Sequence, residues 1–360
     1  MDTSIRSIIT GTGSFIPENI VSNKDFLNRR FLERNGKSFD KENEEIIEKF
    51  GEITGIKERR YADDGMNASD MGALAAEKAL EASGLDPETL DYIIVAHNFG
   101  DVRHDNRRSD LVPALASRVK NRLAIKNPKC VAYDLPFGCP GWLQGVIQAN
   151  YYIRSGDSKA ALVVGCETLS RVIDPHDRDS MIYADGAGAV VLQAGEPNSS
   201  SGILSHAARS DAESQVFYLA MEKSYNQNHD DTLYMKMDGR KLYQYAITHV
   251  PGLVKESIEK AGLNLTDIKK VLIHQANEKL DEAILKRLFK LYDKKESDIP
   301  YGIMPMTISW LGNSSVATVP TLLDLIIRGE MNGQQLKPGD EIVLASVGAG
   351  MHINSVVYRV

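Results

Sequence analysis

The sequence predicts a duplicated α/β fold, one helix–strand unit present twice in tandem. Two observations carry this. Residues 77–98 read EKALEASGLDPETLDYIIVAHN, and residues 255–277 read KESIEKAGLNLTDIKKVLIHQAN. Each is a helical pattern stopped at Gly-Leu (Gly84-Leu85 and Gly262-Leu263), followed by a short acidic connector and an apolar strand. Glycine just past a helix is an ordinary cap. The whole series repeated in register, 178 residues apart in a chain of 360, argues duplication. Strand and helix patterns also alternate along both halves, as in sheets covered on both faces.

In the first half, strands are expected at residues 4–10, 92–96, 129–133, 160–165 and 187–193, and helices at 68–83, 111–123 and 141–154. The stretch Gly195-Glu-Pro-Asn-Ser-Ser-Ser-Gly202 has the composition of an exposed linker and divides the chain into residues 1–195 and 202–360. The second half continues with a helix at 240–261. Pro251 is expected to kink or break it, because proline removes a main-chain hydrogen bond. A strand at 271–273, a helix at 278–292, a further helix after Ser315, and strands at 341–346 and 353–358 complete the chain.

Composition narrows the function. Lys and Arg number 42 against 49 Asp and Glu, a net charge of −7 that argues against general nucleic-acid binding. Three cysteines without close pairing fit a reducing, cytoplasmic setting. The first residues lack a signal-peptide plan. No apolar run reaches the roughly 18 residues that span a bilayer.

The chemistry centres on Cys139, in Tyr133-Asp-Leu-Pro-Phe-Gly-Cys-Pro-Gly-Trp142, between an expected strand and an expected helix. A thiol at a helix start sits at the positive end of the backbone dipole, which favours thiolate. Pro140 suits the first helical turn. On this segment alone, a buried inert cysteine is an equal reading. Downstream, His274 ends an apolar run, where α/β folds place chemistry, and Asn313 lies between Gly312 and two serines ahead of a helix. Cys, His and Asn in that order suggest thiolate chemistry with two polar assistants. A cysteine hydrolase uses the same order, and the spacing from Cys139 to His274 fits papain-like enzymes. Duplicated halves have no role in that fold.

Other residues carry plainer readings. Cys130 and Cys166 read as core. His97, at the strand end of the first repeat, reads equally as cavity wall or as structure. His176 is placed near a substrate entrance, and His104, His206, His229, His249 and His352 have no persuasive context. No spacing suggests a metal site. Asn35-Gly-Lys-Ser38 lacks the leading glycine of a phosphate loop, since position 31 is Phe. Asp185-Gly-Ala-Gly188 precedes a strand and reads as close backbone packing.

Taken together, the chain resembles the β-ketoacyl-acyl-carrier-protein synthase III family of the thiolase superfamily. The motifs run from Gly11-Thr-Gly-Ser-Phe-Ile-Pro17 through Thr54-Gly-Ile56, Ala184-Asp-Gly-Ala-Gly-Ala189, His274-Gln-Ala-Asn277 and Gly312-Asn-Ser-Ser315 to Gly348-Ala-Gly350. The resemblance implies a five-layered αβαβα thiolase-like fold and a homodimer. It implies a decarboxylating Claisen condensation between a Cys-bound acyl starter and a malonyl- or β-ketoacyl-type extender. It implies Cys139, His274 and Asn313 as the catalytic set, with an oxyanion hole from the Cys139 and Ala349 amides. No cofactor is implied beyond substrates thioester-linked to the phosphopantetheine of acyl carrier protein or coenzyme A. Asn277 and Arg178 are expected to contact substrate.

The chain departs from the family pattern in several places. Lys49 and Ile53 stand where acetyl-CoA-loading members commonly carry Trp and Arg, so the starter is expected to arrive on acyl carrier protein. Gly138-Cys-Pro-Gly141 replaces Ala-Cys-Ala-Gly. The interval from His274 to Asn313 is enlarged around residues 292–309. These changes suggest a specialised member, with dialkylresorcinol-type synthesis as one hypothesis. At about 100° per residue, Lys279, Lys286 and Lys290 share one helix face. Alone this reads as an ordinary solvated face. Family precedent makes it a docking face for an acidic carrier.

Overall fold

A computed structural model of the chain describes residues 5–197, 199–228 and 231–360. The start of the expected first strand, Ser4, and His229 lie outside the described residues. Two sheets organise the molecule. The first has the strand order Ser7–Phe15, Asp185–Ala194, Ala160–Thr168, Tyr92–His97, Val131–Pro136. Its first two pairings are antiparallel and its last two parallel. The second has the order Gly202–Ser210, His352–Arg359, Glu341–Gly348, Ile268–Ile273, with two antiparallel pairings and then a parallel one. Strand for strand, the second sheet repeats the first. Where a fifth strand would lie beside Ile268–Ile273, the Ile303 carbonyl accepts the Val271 N–H at 2.8 Å.

Helices complete five layers. Ala68–Ser83 and Leu115–Arg122 cover the outer face of the first sheet, and Gly239–Lys260 with Glu278–Lys290 cover that of the second. Gly141–Ser155 and Thr318–Ile327 lie between the sheets. A helix enclosed on all sides must be apolar all round. Accordingly Val319, Leu322, Leu323 and Ile326 are buried with Trp142, Val146, Leu272 and Leu344 in a core shared by both sheets. The one charge within that helix, Asp324, is matched by Thr12 and Ser14 hydroxyls at 2.8 and 2.6 Å.

Some expectations needed correction. The helix Gly239–Lys260 runs through Pro251 without interruption. Val250, Leu253, Val254 and Ile258 are buried on both sides of the proline, and that packing holds the helix together despite one forgone main-chain bond. The helix expected at 111–123 begins only at Leu115, since Pro113 disfavours helical geometry just before it. The hairpin Leu219–Lys223 with Leu233–Met237 was not foreseen, although it forms part of the site. Among the described residues, no helix is long and apolar enough to cross a membrane.

Candidate active site

Strand Val131–Pro136 lies parallel to its neighbour, and the chain turns from its C-terminal end through Gly138 and Cys139 into helix Gly141–Ser155. Pro140 is the cap of that helix, one position before its expected place in the first turn. The segment 348–349, from the end of a strand in the second sheet, packs against this turn. A Cβ on Gly138 would fall 2.6 Å from the Ala349 nitrogen, and one on Gly348 would fall 2.5 Å from the Cys139 nitrogen. Only glycine permits such contact. It brings together the two backbone amides expected to face an oxyanion.

The thiol itself differs from the sequence expectation. Burial pushes Cys139 up to about 11, and the nearby Glu167 carboxylate adds to the rise. The Ser315 hydroxyl donates to Cys139 Sγ at 3.2 Å and opposes the shift, as does the cysteine's own backbone N–H. Helix-end partial charges are worth up to about 2 kcal/mol, and desolvation of an anion outweighs them here. The resting residue is a neutral thiol.

His274 follows strand Ile268–Ile273 and is 4% exposed. Burial lowers its pKa to about 4, and the neighbouring Ser315 backbone pulls the other way. The imidazole is therefore neutral at physiological pH. Asn313 is fixed by main-chain bonds to Ile182 and Ala184 at 3.0 and 2.8 Å. Its Oδ1 accepts the Ser315 N–H at 2.8 Å, which leaves the Nδ2 donor for the cavity. Gly312 enters this turn at φ 68°, where a Cβ would lie 2.7 Å from Arg59 Cβ.

Cys139, His274, Asn313 and Ala349 all line one cavity of about 370 Å³. Met221, Met235 and Met237 of the hairpin form part of its apolar wall. Three polar residues that sequence reasoning had not singled out support the thiol. Asn98 donates through Nδ2 to Ser315 Oγ at 2.9 Å and to Glu167 Oε2 at 2.5 Å, and through its N–H to the same Oε2 at 2.8 Å. Glu167 is fully buried and is pushed up to about 7 by that burial. A fourth residue, His352, stacks on Phe137 at 4.2 Å between ring centres and lines the cavity. The one available signal was positional: Asn98 and Glu167 lie at or beside the C-terminal ends of strands in the Cys139 sheet.

Other expected site residues lie elsewhere. Asn277 is the cap of helix Glu278–Lys290: its Oδ1 accepts the Leu280 N–H at 3.1 Å, and it is absent from the cavity wall. Its sequence position beyond the histidine coincides with the helix start, so capping claims its side chain. Arg178 is exposed, its guanidinium 5.0 Å from the Phe39 ring centre, and it too is absent from the wall. His97 is structural: Nδ1 accepts the Gly100 N–H at 3.0 Å, and Nε2 lies 3.1 Å from Asp134. His176 ties loops together through the Arg30 carbonyl and Asn226. Cys130 and Cys166 are core. Asp185 accepts from Ala62, Ser170 N–H and the Ser170 hydroxyl, and Gly188 presses on Pro320, as close packing requires. Lys279, Lys286 and Lys290 are all exposed, with Lys286 3.2 Å from Glu296.

A family model for 3-oxoacyl-[acyl-carrier-protein (ACP)] synthase III matches residues 133–212, and the model for the C-terminal part of that family matches residues 258–360. The chain is 33% identical over 356 residues to a β-ketoacyl-[acyl-carrier-protein] synthase III of Sphingopyxis alaskensis, covering 99% of each protein. It belongs to the synthase III family. Among solved structures, 3-oxoacyl-[acyl-carrier-protein] synthase III from Aquifex aeolicus VF5 superposes with a TM-score of 0.79 at 29% identity, covering 98% of this chain and 100% of that one. The priming β-ketosynthase of the R1128 polyketide pathway superposes with a TM-score of 0.80 at 26% identity, covering 98% and 96%. These are ketosynthases on the thiolase-type fold. The papain-like alternative is thereby overturned.

Proposed function

We propose that the protein joins an acyl starter held on Cys139 to a malonyl-type extender carried by acyl carrier protein, through a decarboxylating Claisen condensation. The observation that supports it is the convergence of Cys139, His274 and Asn313 on one cavity, with the Cys139 and Ala349 amides side by side. In the first step Sγ of Cys139 attacks the starter thioester carbonyl, the carbonyl–donor sulfur bond breaks, and the Cys139 proton ends on the departing donor sulfur, which leaves as a thiol. The two amides stabilise the tetrahedral oxyanion, a role typically worth about 3–4 kcal/mol per donor. In the second step the extender's carbon–carboxylate bond breaks, carbon dioxide leaves, and its electrons become an enolate. Neutral His274 and Asn313 Nδ2 donate hydrogen bonds to that enolate oxygen. The enolate carbon then attacks the Cys139 thioester, and Sγ departs. Atoms and electrons balance within the two thioesters, so no further cofactor is required.

Residues 1–195 and 202–360 act as two halves of one site, the first supplying the thiol and the second the imidazole and carboxamide. The strand Val131–Pro136 is an edge of its sheet, and Val131 is 50% exposed, which favours pairing with a second copy in a homodimer. Lys49 and Ile53, both exposed where acetyl-CoA-loading members carry the Trp and Arg that hold coenzyme A, favour a carrier-bound donor over coenzyme A. The reaction is assigned to the cytoplasm, in fatty-acid or polyketide-like synthesis with a dialkylresorcinol-type product as the specialised case. The test is intact-protein mass spectrometry after incubation with acyl-carrier and acyl-CoA donors. Cys139→Ala abolishes loading. His274→Ala retains loading and loses condensation. Full loading of Cys139→Ala contradicts the assignment.

A further inference from the structure

One buried carboxyl in the cavity wall has no part in that scheme. Asp281 is 1% exposed and lines the same cavity as His274, yet its side chain makes no hydrogen bond or ion pair among the described residues. Its wall neighbours Leu280, Ile284 and Leu242 are apolar. A carboxyl in the first turn of a helix ordinarily caps main-chain N–H groups. Here that role is already filled, because Asn277 caps the helix Glu278–Lys290. Buried polar side chains are nearly always hydrogen-bonded, and an exception calls for a reason. Burial, with Glu278 and Glu282 nearby, holds Asp281 well above the usual carboxylate range, which favours the protonated carboxyl, a group that can both donate and accept.

We propose that Asp281 is a specificity-determining residue that hydrogen-bonds an oxygen on the acyl chain of a bound thioester, selecting a β-keto or hydroxy acyl substrate over a saturated one. The proposal rests on the ketosynthase reading and names its substrate class. A wall built to hydrogen-bond such an oxygen penalises a chain that lacks one, because the carboxyl then stays unpaired. A plain hydrocarbon chain gains nothing from an acid in the wall.

The test uses the whole protein with octanoyl- and 3-oxooctanoyl-pantetheine in equal amounts. One arm reads the mass added to Cys139. The other reads whether the condensation product formed when malonyl-pantetheine is then added derives from octanoyl or from 3-oxooctanoyl. In at least one arm the unaltered protein prefers the 3-oxo substrate by roughly tenfold to a hundredfold. Asp281→Leu brings that ratio to about one while octanoyl use persists, and Asp281→Asn, which still donates and accepts, keeps part of the preference. Asp281→Leu also raises Tm, since it removes an unpaired buried polar group; a merely structural carboxyl would lower it. Equal ratios in the unaltered protein and Asp281→Leu, in both arms, overturn the proposal. So does an equal fall for both substrates, which would mark a contact to pantetheine instead. Octanoyl loading of Cys139 reports separately on the ketosynthase reading: if no protein is loaded, both fail, and if loading is intact with unchanged ratios, only the Asp281 proposal fails.

Discussion

The Cys139 thiol is governed by two neighbours of opposite effect, and each can be removed alone. Ser315 Oγ donates to Sγ at 3.2 Å, and buried Glu167 raises the pKa through its charge. With the thiol at about 11, the thiolate fraction at pH 8 is on the order of one in a thousand. A hydrogen bond to a charged group is worth roughly 1.5–3 kcal/mol. Sulfur is a weak acceptor, so the low end applies, about one pKa unit. Ser315→Ala should therefore cut the thiolate population about tenfold. Glu167→Gln keeps an amide oxygen for Asn98 and removes the charge, so it should raise the thiolate population above pH 7. The assay is the second-order rate of iodoacetamide addition from pH 7 to about 9.5. Peptide mass spectrometry separates Cys139 from buried Cys130 and Cys166. The unaltered protein should show a rate rising about tenfold per pH unit with no plateau. A plateau near pH 8, or a Ser315→Ala rate at or above that of the unaltered protein, would refute the reasoning.

Three further predictions follow from the same geometry. Glu167 is raised from 4.5 to about 7, so the folded state binds the extra proton between those values; its contribution is complete below pH 4.5 and lost as pH rises through about 7. Glu167→Gln should then gain up to about 3 kcal/mol at pH 8 and far less at pH 4.5, and urea titrations showing an equal gain at both would contradict this. Gly138→Ala forces a Cβ against the Ala349 backbone and should cost about 1–3 kcal/mol while slowing Cys139 acylation; wild-type stability and loading would show the close approach to be dispensable. Lys279→Glu and Lys290→Glu should each raise the apparent KM for carrier-linked substrate severalfold, an effect that weakens with added salt. Lys286→Glu should do less, because Lys286 already faces Glu296 at 3.2 Å. Identical salt-independent KM values would place docking elsewhere.

The sequence by itself determined the duplication, the order of most strands and helices of the two sheets, though not strand Gly202–Ser210 or the hairpin, and the three residues of the candidate catalytic set. These are local signals: apolar periodicity, a Gly-Leu stop after each helix, and polar side chains set at strand ends. The late helix start at Leu115 is a local effect of Pro113, whereas the continuity of Gly239–Lys260 through Pro251 was decided by packing, which local propensity does not contain. The same holds for side-chain roles. Asn277 and Arg178 carry polar groups suited to a substrate, but the folded chain spends the first on a helix cap and stacks the second over Phe39. Only tertiary structure joined Asn98, Glu167 and Ser315 behind the thiol, because they are far apart along the chain and come from both of its halves. It also reversed the sign of the expected Cys139 shift, since desolvation depends on everything that surrounds the sulfur, whereas the helix start is visible in a few consecutive residues.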